Sequence, residues 1–163
     1  MEEKKESTRE EEIRQLGRGN FRIGLNCCES AFKACMDSGE FGPCSDDMIC
    51  MASGFGGGLG GKRQLCGAVI GAAMGLGLKK GRRDPLATED FEERLEQLNG
   101  EGGIYDQFKA YAEEIEAEYG ALTCGELIKY WDERDEMHSY DRKKFCQNLI
   151  GFCCKTAYKH ANK

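Results

Sequence analysis

Apolar residues in the first half of the chain recur at helical spacing and predict two buried helices. The first prediction covers residues 26–36, where one face would be formed by Cys28, Ala31, Phe32 and Cys35. A loop rich in Gly, Ser and Pro follows at 37–44, and a short helix is expected to begin at Ser45. The second apolar run, residues 66–78, predicts a buried core helix, because about 13 residues are too few to cross a bilayer.

Glycine is concentrated around the start of this second helix. Residues 54–61 cannot form a stable helix alone, since each glycine costs about 1 kcal/mol relative to alanine. We therefore expect a tightly folded loop that places Cys66 at the start of the helix. The loop formally fits a dinucleotide fingerprint, but without a preceding strand that interpretation is weak. Gly67, Gly71 and Gly75 would form a smooth groove for another backbone, within the chain or in a homodimer.

The second half of the chain shows amphipathic helical patterns and no alternating strand pattern. Helices are predicted over 88–98, 104–119, 123–131 and 139–158. The predicted fold is therefore all-α, a compact single-domain helical bundle with a Gly-rich loop that feeds a buried helix. Residues 1–14 are a charge-dense leader, expected to be a frayed helix or disordered, and residues 15–163 form the helical domain.

Length and composition indicate how the ten cysteines are used. A chain of 163 residues buries roughly 70% of its unfolded surface, so disulfides are not needed to hold it together. The polar start of the chain has no apolar region typical of a signal peptide, and this predicts a cytoplasmic protein without membrane insertion. In that reducing compartment, thiols are expected to be free, metal-bound or catalytic.

Charge and histidine content exclude some function classes. The net charge of −6 argues against a nucleic-acid partner, because phosphate binding needs clustered Lys and Arg. The two histidines, His138 and His160, are expected to be solvated, and neither follows a CxxC pair that would attach haem.

Three cysteines stand at predicted helix starts. Thr123 and Glu126 form a capping box that places Cys124 first in its helix, and Asn26 and Glu29 place Cys27 in the same way. Cys66 opens the buried helix. A helix N-terminus favours thiolate, the form that attacks disulfides and binds metals. By spacing alone, Cys146 and Cys153 in the last helix could both be core residues, and a core or surface role is favoured for the other cysteines.

Several of these segments together resemble the C_GCAxxG_C_C family of redox-active proteins. The resemblance rests on Asn26-Cys27, the segment Ala52–Gly58, Cys66-Gly67-Ala68-x-x-Gly71, and the single later cysteines Cys124 and Cys146. It covers residues 19–157. The resemblance implies that Cys146 is a site residue and not an ordinary core residue. It implies one site formed by Cys27, Cys66, Cys124 and Cys146.

The site that the resemblance implies leaves three functions open. The first is electron transfer through a [2Fe–2S] or [4Fe–4S] cluster on the four cysteines, in which backbone amides of Gly56, Gly57, Gly58 and Gly67 approach the cofactor. The second is thiol–disulfide exchange by some of the same cysteines. The third is non-redox metal binding. An oxidoreductase or electron-carrier protein is the expected partner.

Overall fold

A computed structural model of the chain describes the backbone of residues 2–163 and the side chains from Thr8 onward. Within these residues no β-strand occurs, which confirms the all-α prediction. An isolated antiparallel bridge joins Leu65 to Thr123. The helices are α1 (Glu2–Arg22), α2 (Cys27–Ser38), a 3₁₀ helix (Asp46–Phe55), α3 (Gly67–Lys80), α4 (Phe91–Asn99), α5 (Ile104–Tyr119), α6 (Cys124–Asp132) and α7 (Tyr140–Ala161).

Four of these helices form the central bundle. Helix α7 packs against α1, α2 and α3, and α2 packs against both α1 and α3. Helix α5 lies against α7, and α4 lies against α5 at the periphery. The core between them includes the fully buried side chains of Tyr111, Ile115 and Ile150. The bundle therefore brings the starts of α2 and α3 close to α7.

The glycine stripe of α3 is the surface on which α2 packs. A Cβ atom at Gly71 would lie 2.3 Å from the backbone oxygen of Cys28, and one at Gly75 would lie 2.4 Å from Cys35 Sγ. Only glycine allows two helix backbones to come this close. The predicted groove is confirmed, and a helix of the same chain occupies it. A homodimer stays a prediction that this face does not support.

The predicted leader overlaps the first helix. Helix α1 crosses residue 14 without a break, and Ile13 is buried in the core. A Cβ atom at Gly17 would lie 2.7 Å from Cys154 Sγ, so α1 and α7 are in close contact. Met1 and the side chains of residues 2–7 lie outside the described residues. The domain boundary at residue 14 stays a prediction.

The sequence predicts no membrane insertion. Among the described residues, no helix combines the length and the apolar character needed to cross a bilayer.

One histidine prediction is wrong. His138 is exposed as expected, but His160 is only 8% exposed and its Nε2 lies 2.9 Å from Glu114 Oε2. Lys159 Nζ lies 2.8 Å from the other oxygen of the same carboxylate. The last turn of α7 buries His160 because its ring packs edge-on against Tyr111 of α5. These contacts fasten α5 to the bundle.

This carboxylate makes stability depend on pH. Burial pushes the pKa of Glu114 upward, but hydrogen bonds from Lys159 and His160 outweigh burial and lower it below its ordinary value of 4.5. A lowered pKa in the folded state stabilises the protein above the ordinary pKa, and this contribution disappears as the pH falls through the folded pKa. Glu114→Gln is therefore expected to lower the free energy of unfolding by about 1 kcal/mol at neutral pH.

Urea unfolding at neutral pH and below the ordinary pKa measures this effect. The difference between Glu114→Gln and the unmodified chain should shrink at the lower pH, where both side chains are neutral. Glu113→Gln is the control, because Glu113 forms an exposed pair with Lys109 at 3.8 Å. Equal stability of Glu113→Gln and Glu114→Gln at neutral pH would contradict the assignment.

Candidate functional site

The four cysteines singled out by the sequence line a single cavity. Cys27, Cys66, Cys124 and Cys146 all face a space of about 220 Å³ at one end of the bundle. Cys66 and Cys124 are buried, whereas Cys27 and Cys146 are partly exposed. Four thiols far apart in sequence therefore converge in the folded chain, each delivered by a different helix or helix start.

Cys27 is positioned by the capping box at the start of α2. The backbone N–H of Glu29 donates to Asn26 Oδ1 at 2.9 Å, and the backbone N–H of Asn26 donates to Glu29 Oε2 at 3.0 Å. The Asn26 side-chain amide also donates to the Ser53 carbonyl at 3.0 Å, which fastens this corner to the 3₁₀ helix. The predicted capping box is thus confirmed, and it fixes the backbone that carries Cys27.

Backbone hydrogen bonds hold Cys66 and Cys124 side by side. The N–H of Cys66 donates to the Leu122 carbonyl at 2.9 Å, and the N–H of Cys124 donates to the Gln64 carbonyl at 2.7 Å. The N–H of Gly125 donates to the Arg63 carbonyl at 3.0 Å. This short antiparallel contact joins the end of the glycine loop to the first turn of α6.

The glycine loop folds back on itself before it reaches Cys66, as expected. The N–H groups of Gly61 and Arg63 donate to the carbonyls of Gly56 and Gly57, both at 3.0 Å. Gly56 and Gly57 line the cavity. Gly58 does not: with φ at 73°, it lies against Gln64, where a Cβ atom would come within 2.6 Å of backbone N and O. Of the three loop glycines predicted to approach a cofactor, Gly56 and Gly57 thus line the cavity with the thiols, whereas Gly58 does not.

Gly67 lies directly beneath one of the thiols. A Cβ atom there would be 2.4 Å from Cys27 Sγ and 2.8 Å from the Phe55 carbonyl oxygen. Gly67 is not part of the cavity wall itself. It creates the space in which the Cys27 side chain lies.

Two arginines that were not predicted from the sequence line the cavity. Arg142 Nη1 donates to Cys146 Sγ at 3.7 Å, while its Nε donates to the Met137 carbonyl at 2.6 Å. Arg63 also lines the cavity, and its charge acts on the Cys124 thiol. Arg142 precedes Cys146 by four residues on one helix, a spacing that could have indicated it. Nothing in the sequence indicates Arg63, because only the loop-to-α6 contact brings it to the site.

Apart from Asn26, the remaining side chains of the cavity wall are apolar. Side chains from α1, α3, α6, α7 and the preceding connection complete it; they are Phe21, Ala68, Leu127, Ile128, Met137 and Leu149. Such a wall keeps water away and lowers the local dielectric, so charges inside the cavity interact strongly with one another.

Burial decides the protonation of Cys66, Cys124 and Cys146. It raises the pKa of Cys66 to about 12, although the backbone N–H groups of Ala68 and Val69 act in the opposite direction. It also raises the pKa of Cys124, against the opposing effect of Arg63, and the pKa of Cys146, against that of Arg142. The expectation that helix starts favour thiolate is therefore wrong for Cys66 and Cys124, because desolvation exceeds the effect of the helix N-terminus.

The other six cysteines lie away from the cavity. Cys28, Cys35, Cys153 and Cys154 are core residues with at most 1% exposure, and Cys44 and Cys50 lie nearer the surface. All ten thiols are free. The core or surface interpretation of these six residues is confirmed.

Within the described part of the chain, no three Cys, His, Asp or Glu side chains are grouped so that they could hold one metal ion. The cysteines form the wall of a wider space instead.

Comparison with known proteins gives one match. The family model described as "Putative redox-active protein (C_GCAxxG_C_C)" matches residues 25–160. Comparisons with curated proteins and with solved structures found no match. The matched region runs from just before Cys27 into the last turn of α7 and includes all four cavity cysteines. This chain therefore belongs to the C_GCAxxG_C_C family.

Proposed function

We propose that this protein transfers electrons through an iron–sulfur cluster held by Cys27, Cys66, Cys124 and Cys146. The observation that carries the proposal is the convergence of these four thiols on one cavity of about 220 Å³. Four cysteine thiolates are the ligand set of both [2Fe–2S] and [4Fe–4S] clusters. The bound cluster would supply one-electron oxidation and reduction.

The spread of the thiols favours a cluster over a single ion. Tetrahedral zinc with Zn–S bonds of about 2.3 Å draws its four sulfurs to within roughly 3.8 Å of each other. No three potential ligands among the described residues are grouped to hold one ion. In a [4Fe–4S] cluster each thiolate binds a different iron, and in a [2Fe–2S] cluster two thiolates bind each iron, so in both the four sulfurs as a set stand farther apart than around one ion.

The protonation of Cys66 and Cys124 makes neither of them a ready attacking thiol for thiol–disulfide exchange. Exchange needs a thiolate that attacks at ambient pH, and the optimum attacking thiol has a pKa near that pH. Burial raises the pKa of Cys66 to about 12 and also raises the pKa of Cys124. Iron ions displace such protons on binding, since a thiol that coordinates a metal is deprotonated.

The chain's own residues would support the redox role in two ways. The apolar wall formed by residues such as Leu127, Ile128 and Leu149 excludes water from the centre. The partly exposed Cys27 and Cys146 bring one side of the centre near the surface, where an electron-carrier or oxidoreductase protein would dock. The ten free thiols suit the reducing cytoplasm, where we place the protein.

Anaerobic purification with iron and sulfide analysis tests this function. The protein, reconstituted with ferrous iron and sulfide, is expected to be brown, to show sulfur-to-iron charge-transfer absorption and to hold iron and acid-labile sulfide in equal amounts. Reduction with dithionite should bleach the absorption and reoxidation should restore it.

Other outcomes of this experiment identify the alternatives. Colourless protein without retained iron would overturn the proposal. If that protein held stoichiometric zinc instead, non-redox metal binding would replace it. If mild oxidation removed two free thiols and a dithiol reductant restored them, exchange among the four cysteines would replace it.

A further inference from the structure

We propose that Arg63 and Arg142 are positioning residues that balance the negative charge of the four-cysteine centre and set its reduction potential. This inference rests on the proposed function and adds to it the control of that function. Each guanidinium lines the cavity and interacts with a different cysteine, Arg63 with Cys124 and Arg142 with Cys146.

Arg142 is held rigidly by its own helix end. Its backbone N–H donates to Ser139 Oγ at 3.2 Å, and its Nε donates to the Met137 carbonyl at 2.6 Å. The guanidinium is thus anchored on one edge, and Nη1 on the other side reaches Cys146 Sγ at 3.7 Å. A side chain already fixed at Nε by another contact loses little further freedom when it approaches the sulfur.

Arg63 occupies an unusual backbone conformation next to the site. Its φ of 61° lies in the left-handed region, which non-glycine residues rarely adopt and which clusters at functional sites. The conformation is stabilised by both backbone hydrogen bonds of Arg63, one from its N–H to Gly57 and one from the Gly125 N–H to its carbonyl. Asp132 Oδ1 lies 3.8 Å from Nη2 and orients the guanidinium from the solvent side.

Both arginines oppose negative charge at the site. Four thiolates around an oxidised cluster core with two positive charges would leave two negative charges in a largely apolar cavity. The two guanidinium groups oppose these charges, while Asp132, 3.8 Å from Arg63 Nη2, offsets part of the charge of Arg63. Reduction adds an electron, so nearby positive charge stabilises the reduced state and raises the potential. The apolar wall strengthens this effect because it lowers the local dielectric.

The experiment measures the midpoint potential of reconstituted protein by spectroelectrochemistry. Arg142→Gln and Arg63→Gln are each expected to shift the potential to a more negative value, and the double variant should shift it further. Arg142→Lys and Arg63→Lys should restore part of the shift, because they retain the charge. Arg94→Gln is the matched control: it removes a guanidinium from α4, which contributes no residue to the cavity.

Transfer of iron from the reconstituted protein to a chelator separates this inference from the proposed function. The double variant is expected to lose its iron roughly tenfold faster, because two charge-assisted contacts to sulfur are lost. A double variant with the potential and the rate of iron loss of the unmodified chain would overturn the inference while the cluster stands. An unmodified chain that holds no iron after reconstitution would overturn the proposed function, and the inference with it.

Discussion

Gly71→Ala is expected to lower the free energy of unfolding by about 3 kcal/mol, because it forces α2 and α3 apart. The new Cβ atom would lie 2.3 Å from the Cys28 carbonyl oxygen and 3.0 Å from Ala31 Cβ. The closest neighbour is backbone, so a rotamer change cannot relieve the contact. Cys27 begins α2 and Cys66 caps α3, so the separation of these helices should also widen the cysteine cavity.

Gly77→Ala provides a control on the same helix. A Cβ atom at Gly77 would meet only Phe108 Cζ at 3.9 Å, an ordinary contact distance. Alanine there should raise the free energy of unfolding by about 0.5–1 kcal/mol through helix propensity alone. Urea unfolding followed by circular dichroism measures both variants. If Gly71→Ala gained stability as Gly77→Ala does, the close packing of α2 on α3 would be refuted.

Cys146→Ala is expected to abolish stable cluster binding, whereas Cys153→Ala should retain it. The two residues lie seven positions apart on α7, but only Cys146 lines the cavity. Loss of one of four ligands leaves an iron exposed to solvent and makes the cluster labile. Cys153 is fully buried in the core, and its truncation should cost about 1–2 kcal/mol of stability without removing a ligand.

Iron and sulfide retained after anaerobic gel filtration measure this difference. The same loss is expected for Cys27→Ala, Cys66→Ala and Cys124→Ala, while the exposed Cys50→Ala should behave like the unmodified chain. Normal iron content in Cys146→Ala would exclude Cys146 from the ligand set. An equal loss in Cys153→Ala, with the fold intact by circular dichroism, would show that the ligands are not those of the cavity.

The helices could be predicted from the sequence because local signals mark their ends. Asn26 with Glu29 and Thr123 with Glu126 are caps that act within one turn of helix, and both cap where expected. Helix α5 begins and ends at the predicted residues. The burial of His160 was missed because its partner, Glu114, is 46 residues away on another helix. Contacts of this kind leave no periodic signal in a single chain.

The site was predictable only in part, for a related reason. Helix-start signals pointed to Cys27, Cys66 and Cys124, whereas Cys146 lies inside α7 and was raised above Cys153 only by the family resemblance. The protonation of the thiols depends on burial, which is a property of the whole fold. The prediction that a helix N-terminus favours thiolate considered only the local backbone. It gave the wrong direction for the pKa shift of Cys66. Arg63 reaches the site through tertiary contacts alone.

The packing of α7 against α1, α2 and α3 also fixes when the site can form during synthesis. The ribosome releases Cys27, Cys66 and Cys124 before Cys146, and the helix that carries Cys146 is also the one that completes the central bundle. A nascent chain that ends before α7 presents three thiols on an incomplete scaffold. The proposed cluster would therefore be inserted only after translation of this region.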